Sequence, residues 1–286
     1  LGEQTGPLNR RGRTLTFWNT DAYDSTFGGW RPDASPLYLS IPFGLTLSDG
    51  VAAGLFVDDT HRLTMDVGAT ESETWSTRSQ AADTTAWLID GPSPADVLRR
   101  YTTLTGTAPR PPRWALGWHQ CRWGYNTADE LLAVVQGYRD RDLPLDAVWL
   151  DIQHMRGFRT FTWDAGRFAD PAGLFNTLHT SHVRGIFIAD PGIKQEPGWD
   201  VYDSGIAANV FVGAPYVGSV WAGPSVFPDF TAPDARDWWA SQLQPNLAAG
   251  ADGVWLDVNE PTTFPEGGAG LSVPDDLPVH GDGVPT

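Results

Sequence analysis

Gly253-Val254-Trp255-Leu256-Asp257-Val258-Asn259-Glu260-Pro261 is a short apolar run that stops abruptly in two acids and an amide. Bounded by glycine and turn residues, Gly253 to Leu256 reads as a buried strand with a polar end. Working back along the chain, the same arrangement recurs three times. Gly185 to Ala189 runs into Asp190 to Ile193, Ala147 to Ile152 into Asp151 to Met155, and Trp114 to Gln120 into Cys121 to Tyr125. Helical patterns lie between these runs. Thr127 and Glu130 form a capping box ahead of Leu131, Val134, Val135 and Tyr138. Asp170 and Pro171 open a second helix with Leu174, Leu178 and Val183 on one face and Gly185 at its end, and Thr231, Pro233 and Asp234 start a third carrying Trp238, Trp239 and Leu243. Strands alternating with amphipathic helices specify parallel βα units.

Such units suit an open doubly wound sheet or part of a (β/α)8 barrel, which takes ~250 residues in full. The barrel is preferred because every strand runs directly into a polar or aromatic cluster, the place where barrels carry their chemistry. No GxGxxG or P-loop follows any strand, which removes the main support for a nucleotide site. The expected fold class is therefore α/β, with about the first half of a (β/α)8 TIM barrel over residues 108–286. Residues 194–230 hold no sustained period and are rich in Gly, Pro and aromatics, so a long structured loop is expected there.

Residues 1–107 read as a separate β-domain. Strand patterns fall at Thr14 to Trp18, Leu37 to Leu47 and Val51 to Val57, with Ser48, Asp49 and Gly50 as a hairpin turn. A helix starts at Ser93, with Pro94 at its first position and Asp96 in its first turn, presents Val97, Leu98, Tyr101 and Leu104, and is closed by Gly106. The Pro-rich run Ala108 to Pro112 marks the boundary.

The 286 residues, 41% hydrophobic, suffice for one or two cored domains. Lys plus Arg number 19 against 35 Asp plus Glu, and the resulting net charge of −16 repels polyanions, so neither nucleic acid nor an anionic membrane is an expected partner. Cys121 is the only cysteine, which excludes an intrachain disulfide. The absence of a signal-like or membrane-spanning run leads to a soluble chain, with the cytoplasm favoured as compartment. His119, His154, His179 and His182 show no metal-ligand spacing, and neither metal nor cofactor is expected.

Two carboxyl groups facing each other across a sugar are the apparatus of glycosidic cleavage. Asp257 and Glu260 are the first candidates, and a strand end capped by turn-forming Asp and Asn is the alternative. Asp151, in Leu150-Asp151-Ile152-Gln153-His154-Met155, is placed to accept hydrogen bonds from hydroxyls, or is simply a solvated strand end. Asp21 taken alone reads as a turn residue. The loop aromatics Trp199, Tyr202, Phe211, Tyr216, Trp221, Phe227 and Phe230 offer flat faces for sugar rings, or else pin the loop to its scaffold.

Taken together, these segments resemble glycoside hydrolase family 31. Trp255-Leu256-Asp257-Val258-Asn259-Glu260 is similar to that family's WxDMNE signature. Cys121 to Tyr125, Trp149 to Ile152, Asp190 to Ile193, Val220-Trp221 and Phe227 to Phe230 match in order, and Trp18 to Asp21 with Pro36 to Phe43 resemble its N-terminal β-sandwich. The resemblance implies a retaining α-glycosidase, with an exo-acting α-glucosidase as first choice and an oligosaccharide or α-glucoside as substrate. Asp257 would be the nucleophile, and Glu260 would position the strand end. Asp21 and Asp151 would hold sugar hydroxyls, and Trp123, Ile152, Ile193, Trp221 and Trp255 would line the subsite.

Val258 replaces the usual Met, and Gln153 and His154 stand where Asp and Tyr are common, which leaves the fine substrate preference open. The family's acid/base Asp lies on a later strand, so these residues alone are expected to be inactive until the remaining half of the barrel is supplied. An α-xylosidase, a transglycosidase or a sulfoquinovosidase of the same mechanism, a β-glycosidase using Glu260, and an inactive carbohydrate-binding remnant are the competing functions.

Overall fold

The computed structural model describes residues 1–23, 31–32, 34–81, 83–264, 273–274 and 276–280. The chain divides into two compact units, Leu1–Pro109 and Arg110–Thr286.

The first unit contains strands β1 (Arg13–Phe17), β2 (Phe43–Ser48), β3 (Val51–Asp58), β4 (Leu63–Val67), β5 (Trp75–Ser79) and β6 (Thr85–Asp90), followed by helix α1 (Pro94–Thr105). They form two antiparallel three-stranded sheets, ordered β1-β4-β5 and β2-β3-β6. Alternation along β4 turns Leu63, Met65 and Val67 inward to join Leu15, Phe17 and Val57 in one core. Asp49 (φ 51°) and Gly50 (φ 80°) are both left-handed, the conformation that lets a tight β2–β3 hairpin follow the strand twist. α1 begins with a capping box, in which the Ser93 hydroxyl accepts from the Asp96 amide while the Asp96 carboxylate accepts from the Ser93 amide. Its Val97 packs on Ala52 and Ile89, and Tyr101 stacks on Phe43 at 4.1 Å.

The strand expected from Leu37 is shorter, starting only at Phe43. Pro36 and Pro42 have no N–H to give to a ladder, and Pro42 contributes only its carbonyl, to the Val57 amide.

The second unit runs β7 (His119–Gln120), α2 (Ala128–Arg139), β8 (Ala147–Leu150), α3 (Pro171–Thr180), β9 (Arg184–Ile188), β10 (Ile193–Lys194), α4 (Asp200–Ala207), β11 (Gly218–Val220), β12 (Gly223–Val226), α5 (Pro233–Ala248) and β13 (Gly253–Trp255). β7, β8, β9 and β13 are parallel and lie side by side in chain order. Sequential order without reversal is the arc of a barrel, whereas a doubly wound sheet reverses at its switch point. Leu131 and Val135 of α2, Leu174, Phe175 and Leu178 of α3, and Trp238 and Trp239 of α5 close one core over Val148, Leu150 and Phe187.

Three local expectations are corrected. Residues from Trp114 do not extend into β7, because Arg113–Leu116 forms a 3-10 turn closed by the Gly117 amide on the Trp114 carbonyl. Gly185 does not end α3. It sits inside β9, where a Cβ would fall 2.6 Å from the Phe175 ring, and the left-handed turn after the helix is made by His182 (φ 56°). The stretch 194–230 holds real elements, namely α4 and an antiparallel β10-β12-β11 sheet. α4 escapes a periodicity search because it has eight residues, no side-chain cap at Trp199 and a glycine on its buried face. Gly205 is required there, since a Cβ would lie 2.3 Å from Phe211.

Candidate active site

Register sets the site. Ile188 pairs with Trp255, so Asp190 and Asp257 follow level ends of β9 and β13, while Leu150 pairs with Phe187, which releases Asp151 from β8 two residues earlier at the same edge of the sheet. Each acid then meets a different local structure. Asp151 caps a 3-10 turn, Ile152–His154, by accepting the Ile152 amide at 2.7 Å, and burial raises its carboxyl above the ordinary range. His154 ends that turn and is shut in among Trp163, Phe168 and Phe187. Burial pushes it down to about 4, so it is neutral, and Nδ1–H donates to the Asp151 carbonyl at 2.8 Å.

Asp190, only 5% exposed, is the most deeply placed of the three acids. Burial first, and then the charges of Asp257 and Asp151, push it up to about 8. Its Oδ1 is buried and finds no hydrogen-bond partner among the described residues.

Asp257 opens a tight turn and is half-buried. Asn259 Nδ2 donates to the Asp257 carbonyl at 2.8 Å, the Thr262 amide reaches the Val258 carbonyl at 3.0 Å, and Val258 adopts φ 51°. The Thr262 hydroxyl donates to Glu260 Oε2 at 2.6 Å, which ties that carboxylate to its own turn. The turn is anchored to β11 by the Phe264 amide on the Ser219 carbonyl (2.7 Å), and by Thr263 Oγ1, which accepts the Ser219 amide and donates to its carbonyl. At the fourth strand end, Cys121 is pushed up to about 11 by burial and then by Asp151 and Asp257, so its thiol keeps its proton.

An apolar wall stands behind the acids. Trp255 packs with Ile152, Met155 and Ile188, and its ring meets Trp149 edge-on at 5.8 Å. Trp149 is oriented in turn by Nε1–H donation to His119 Nδ1 at 3.1 Å, which leaves the His119 proton on Nε2, facing the Trp114 carbonyl.

Of the residues singled out from sequence, Asp151, Ile152, Trp255 and Asp257 thus come together. Ile193 is fully buried in β10, and Trp221 stands 38% exposed with its edge against Phe264, just past the Asp257 turn. Trp123 is open to solvent, at 71%. Asp21 belongs to the first unit, where it accepts the Tyr38 hydroxyl at 2.7 Å and the Tyr23 amide at 3.1 Å. Among the loop aromatics, Tyr202, Phe211 and Phe227 are buried, Trp199 and Phe230 pack on the main core, and Tyr216 packs on Phe227. They pin the loop, and Trp221 alone of the seven keeps a large free face. Asp190, which the sequence presents within the Asp190 to Ile193 motif and not as a candidate on its own, is marked by its position immediately past an apolar strand, like that of Asp151 and Asp257.

Among the described residues no three His, Cys, Asp or Glu side chains converge on a metal position, and no helix is long and apolar enough to cross a membrane. Residues 108–282 match the glycosyl hydrolases family 31 TIM-barrel domain, and residues 1–66 match the glycosyl hydrolase 31 N-terminal galactose mutarotase-like domain. The chain belongs to glycoside hydrolase family 31. Within the family, it is 42% identical over 271 residues to alpha-glucosidase 2 of Bacillus thermoamyloliquefaciens, covering 93% of this chain and 34% of that protein. It is 34% identical over 278 residues to the lysosomal alpha-glucosidase of Mus musculus, covering 93% of this chain and 28% of that protein. The crystal structure of a family 31 alpha-glucosidase from Bacteroides thetaiotaomicron superposes with a TM-score of 0.82 at 33% identity, over 96% of this chain and 46% of that one. The family 31 chain described here therefore spans between about a quarter and a half of the length of these relatives.

Proposed function

We infer that the protein carrying this segment is a retaining α-glycosidase, specifically an exo-acting α-glucosidase, with Asp257 as its nucleophile. The observation that carries this is the group of carboxyls released where β8, β9 and β13 end, with Asp190 level with Asp257 and Asp151 two residues short of them, backed by Trp255 and Ile152. The relatives named alpha-glucosidase support the choice of sugar.

An Asp257 oxygen attacks the anomeric carbon of the terminal glucose as the glycosidic C–O bond breaks, giving a glycosyl ester. Water then displaces the ester oxygen, and two inversions retain the configuration. The proton for the departing oxygen comes from a carboxyl outside these residues, in the remainder of the barrel. Asp151 holds hydroxyls of the cleaved sugar, and Asp21 is the second carboxylate assigned to hydroxyl binding. Trp123, Ile152, Ile193, Trp221 and Trp255 form the subsite wall. Glu260, tied to Thr262, braces the turn from which Asp257 projects.

Treating the full polypeptide with 5-fluoro-α-glucosyl fluoride and mapping the labelled peptide tests this. The ester is expected on Asp257; an ester on Glu260, or faster hydrolysis of aryl α-xylosides than of aryl α-glucosides, overturns the assignment.

A further inference from the structure

The strand that ends between the other two carries an acid to which the proposed reaction gives no task. β9 lies between β8 and β13, and the Ala189 amide bonds the Trp255 carbonyl at 2.9 Å, so the chain is still laddered to β13 one residue before Asp190. Continuing the parallel register by two residues from the Ile188–Trp255 pair brings Asp190 level with Asp257. Asp190 is 5% exposed, and the charged groups that bear on it are Asp257 from the end of β13 and Asp151 from the end of β8, both acids. Cys121, at the end of β7, feels the same two acids and stays neutral. Among the described residues Asp190 thus has two acids and no cation acting on its charge, little water to solvate it, and a buried oxygen without a hydrogen-bond partner.

We propose that Asp190 is a positioning residue for the nucleophile: enclosed between Asp151 and Asp257, it keeps its proton and donates it in a hydrogen bond to the Asp257 carboxylate. The bond fixes which Asp257 oxygen faces the sugar and leaves a single full negative charge beside the anomeric carbon. Burial and the two neighbouring acids hold Asp190 protonated up to about pH 8. Above that pH the donor disappears, and a second charge appears beside Asp257.

The inference rests on Asp257 being the nucleophile, so its test isolates that step. In 5-fluoro-α-glucosyl fluoride the fluoride departs as an anion as the Asp257 oxygen bonds to carbon, and the leaving group needs no proton from the general acid. The rate of covalent labelling is measured against pH for the full polypeptide and for its Asp190→Asn and Asp190→Ala variants, with thermal melting to verify that each folds. The wild type is expected to label more slowly as pH rises through about 8. Asp190→Asn, which keeps a neutral N–H donor in the same shape, is expected to lose that fall and to label at a rate within a few-fold of wild type. Asp190→Ala, with no donor, is expected to label about tenfold or more slowly, the scale of a hydrogen bond to a charged group. An unchanged alkaline fall in Asp190→Asn, or an Asn variant as slow as the Ala variant, overturns the positioning role while leaving Asp257 as nucleophile. If Ala does not fold, the Asn profile decides alone. Absence of label from Asp257 in the wild type defeats the proposed function itself.

Discussion

Replacing His154 by Phe separates packing from titration at the turn that presents Asp151. The phenyl ring keeps the enclosure by Trp163, Phe168 and Phe187, but it loses the Nδ1–H bond to the Asp151 carbonyl. At pH 7, where His154 is neutral in both folded and unfolded chains, that loss costs about 1 kcal/mol. Acid changes the balance. Burial holds the folded imidazole at about 4 against the ordinary 6.5, so between these values the unfolded chain binds the proton and the folded chain does not. Wild-type stability is therefore lost as pH falls through this window, by about 3 kcal/mol at pH 4. The variant has nothing to titrate there. It is expected to be less stable than wild type by about 1 kcal/mol at neutral pH and more stable by about 2 kcal/mol near pH 4, with the two curves crossing at roughly pH 6. Urea midpoints of the paired full-length proteins from pH 4 to 7.5 measure the difference, in which carboxylates common to both cancel. A difference that does not change across that range would falsify the account of a buried neutral imidazole.

Gly185→Ala pushes a Cβ to 2.6 Å from two Phe175 ring atoms in a packed core, and a loss of about 1–3 kcal/mol is expected; an unchanged melting temperature counts against the close α3–β9 approach. Ser93→Ala removes the α1 capping box and is expected to cost about 1 kcal/mol, read from the same melts, with no change in labelling of Asp257. Thr263→Val keeps shape but severs both side-chain hydrogen bonds to Ser219, and because the Ser219 carbonyl keeps the Phe264 amide, a loss of about 1–3 kcal/mol is expected, chiefly for the Ser219 amide left unpaired. Because those bonds anchor the Asp257 turn, labelling of Asp257 slows as well; normal labelling in a folded variant means that the anchor does not set the position of the acid.

The fold is legible where burial is one-sided. Leu131 and Val135, or Leu174 and Leu178, recur at helical spacing because one face of each helix meets the sheet, and the caps Thr127 and Asp170 announce the helix starts through their own bonds to the Glu130 and Gly173 amides. At α2 the reciprocal half of the box is shifted, since Glu130 accepts from Asn126 and not from Thr127 itself. What the sequence conceals are elements whose residues are chosen by tertiary contact. Gly205 and Gly185 look like breakers, yet each lies inside an element because an aromatic ring occupies the place of its side chain. The two-residue strands β7 and β10 are too short to show any period and are defined by their neighbours.

The site divides in the same way. Asp151, Asp190 and Asp257 are equivalent as text, each an acid after an apolar run, and nothing in the sequence assigns them different charges. Register and depth do. Like charges one strand spacing apart, roughly 5 Å, repel by about 3 kcal/mol at an effective dielectric of ~20. A group of neighbouring strand-end acids therefore sheds one charge first, and the one shed belongs to the group with the least water around it. Asp190 is that group, between two strands and 5% exposed, whereas Asp151 keeps an amide donor for its charged form and Asp257 stands half-open at the mouth of its turn. Strand order and depth thus set three side chains of one chemistry apart, and it is the position of β9 between β8 and β13 that makes Asp190 the acid whose charge is disfavoured most.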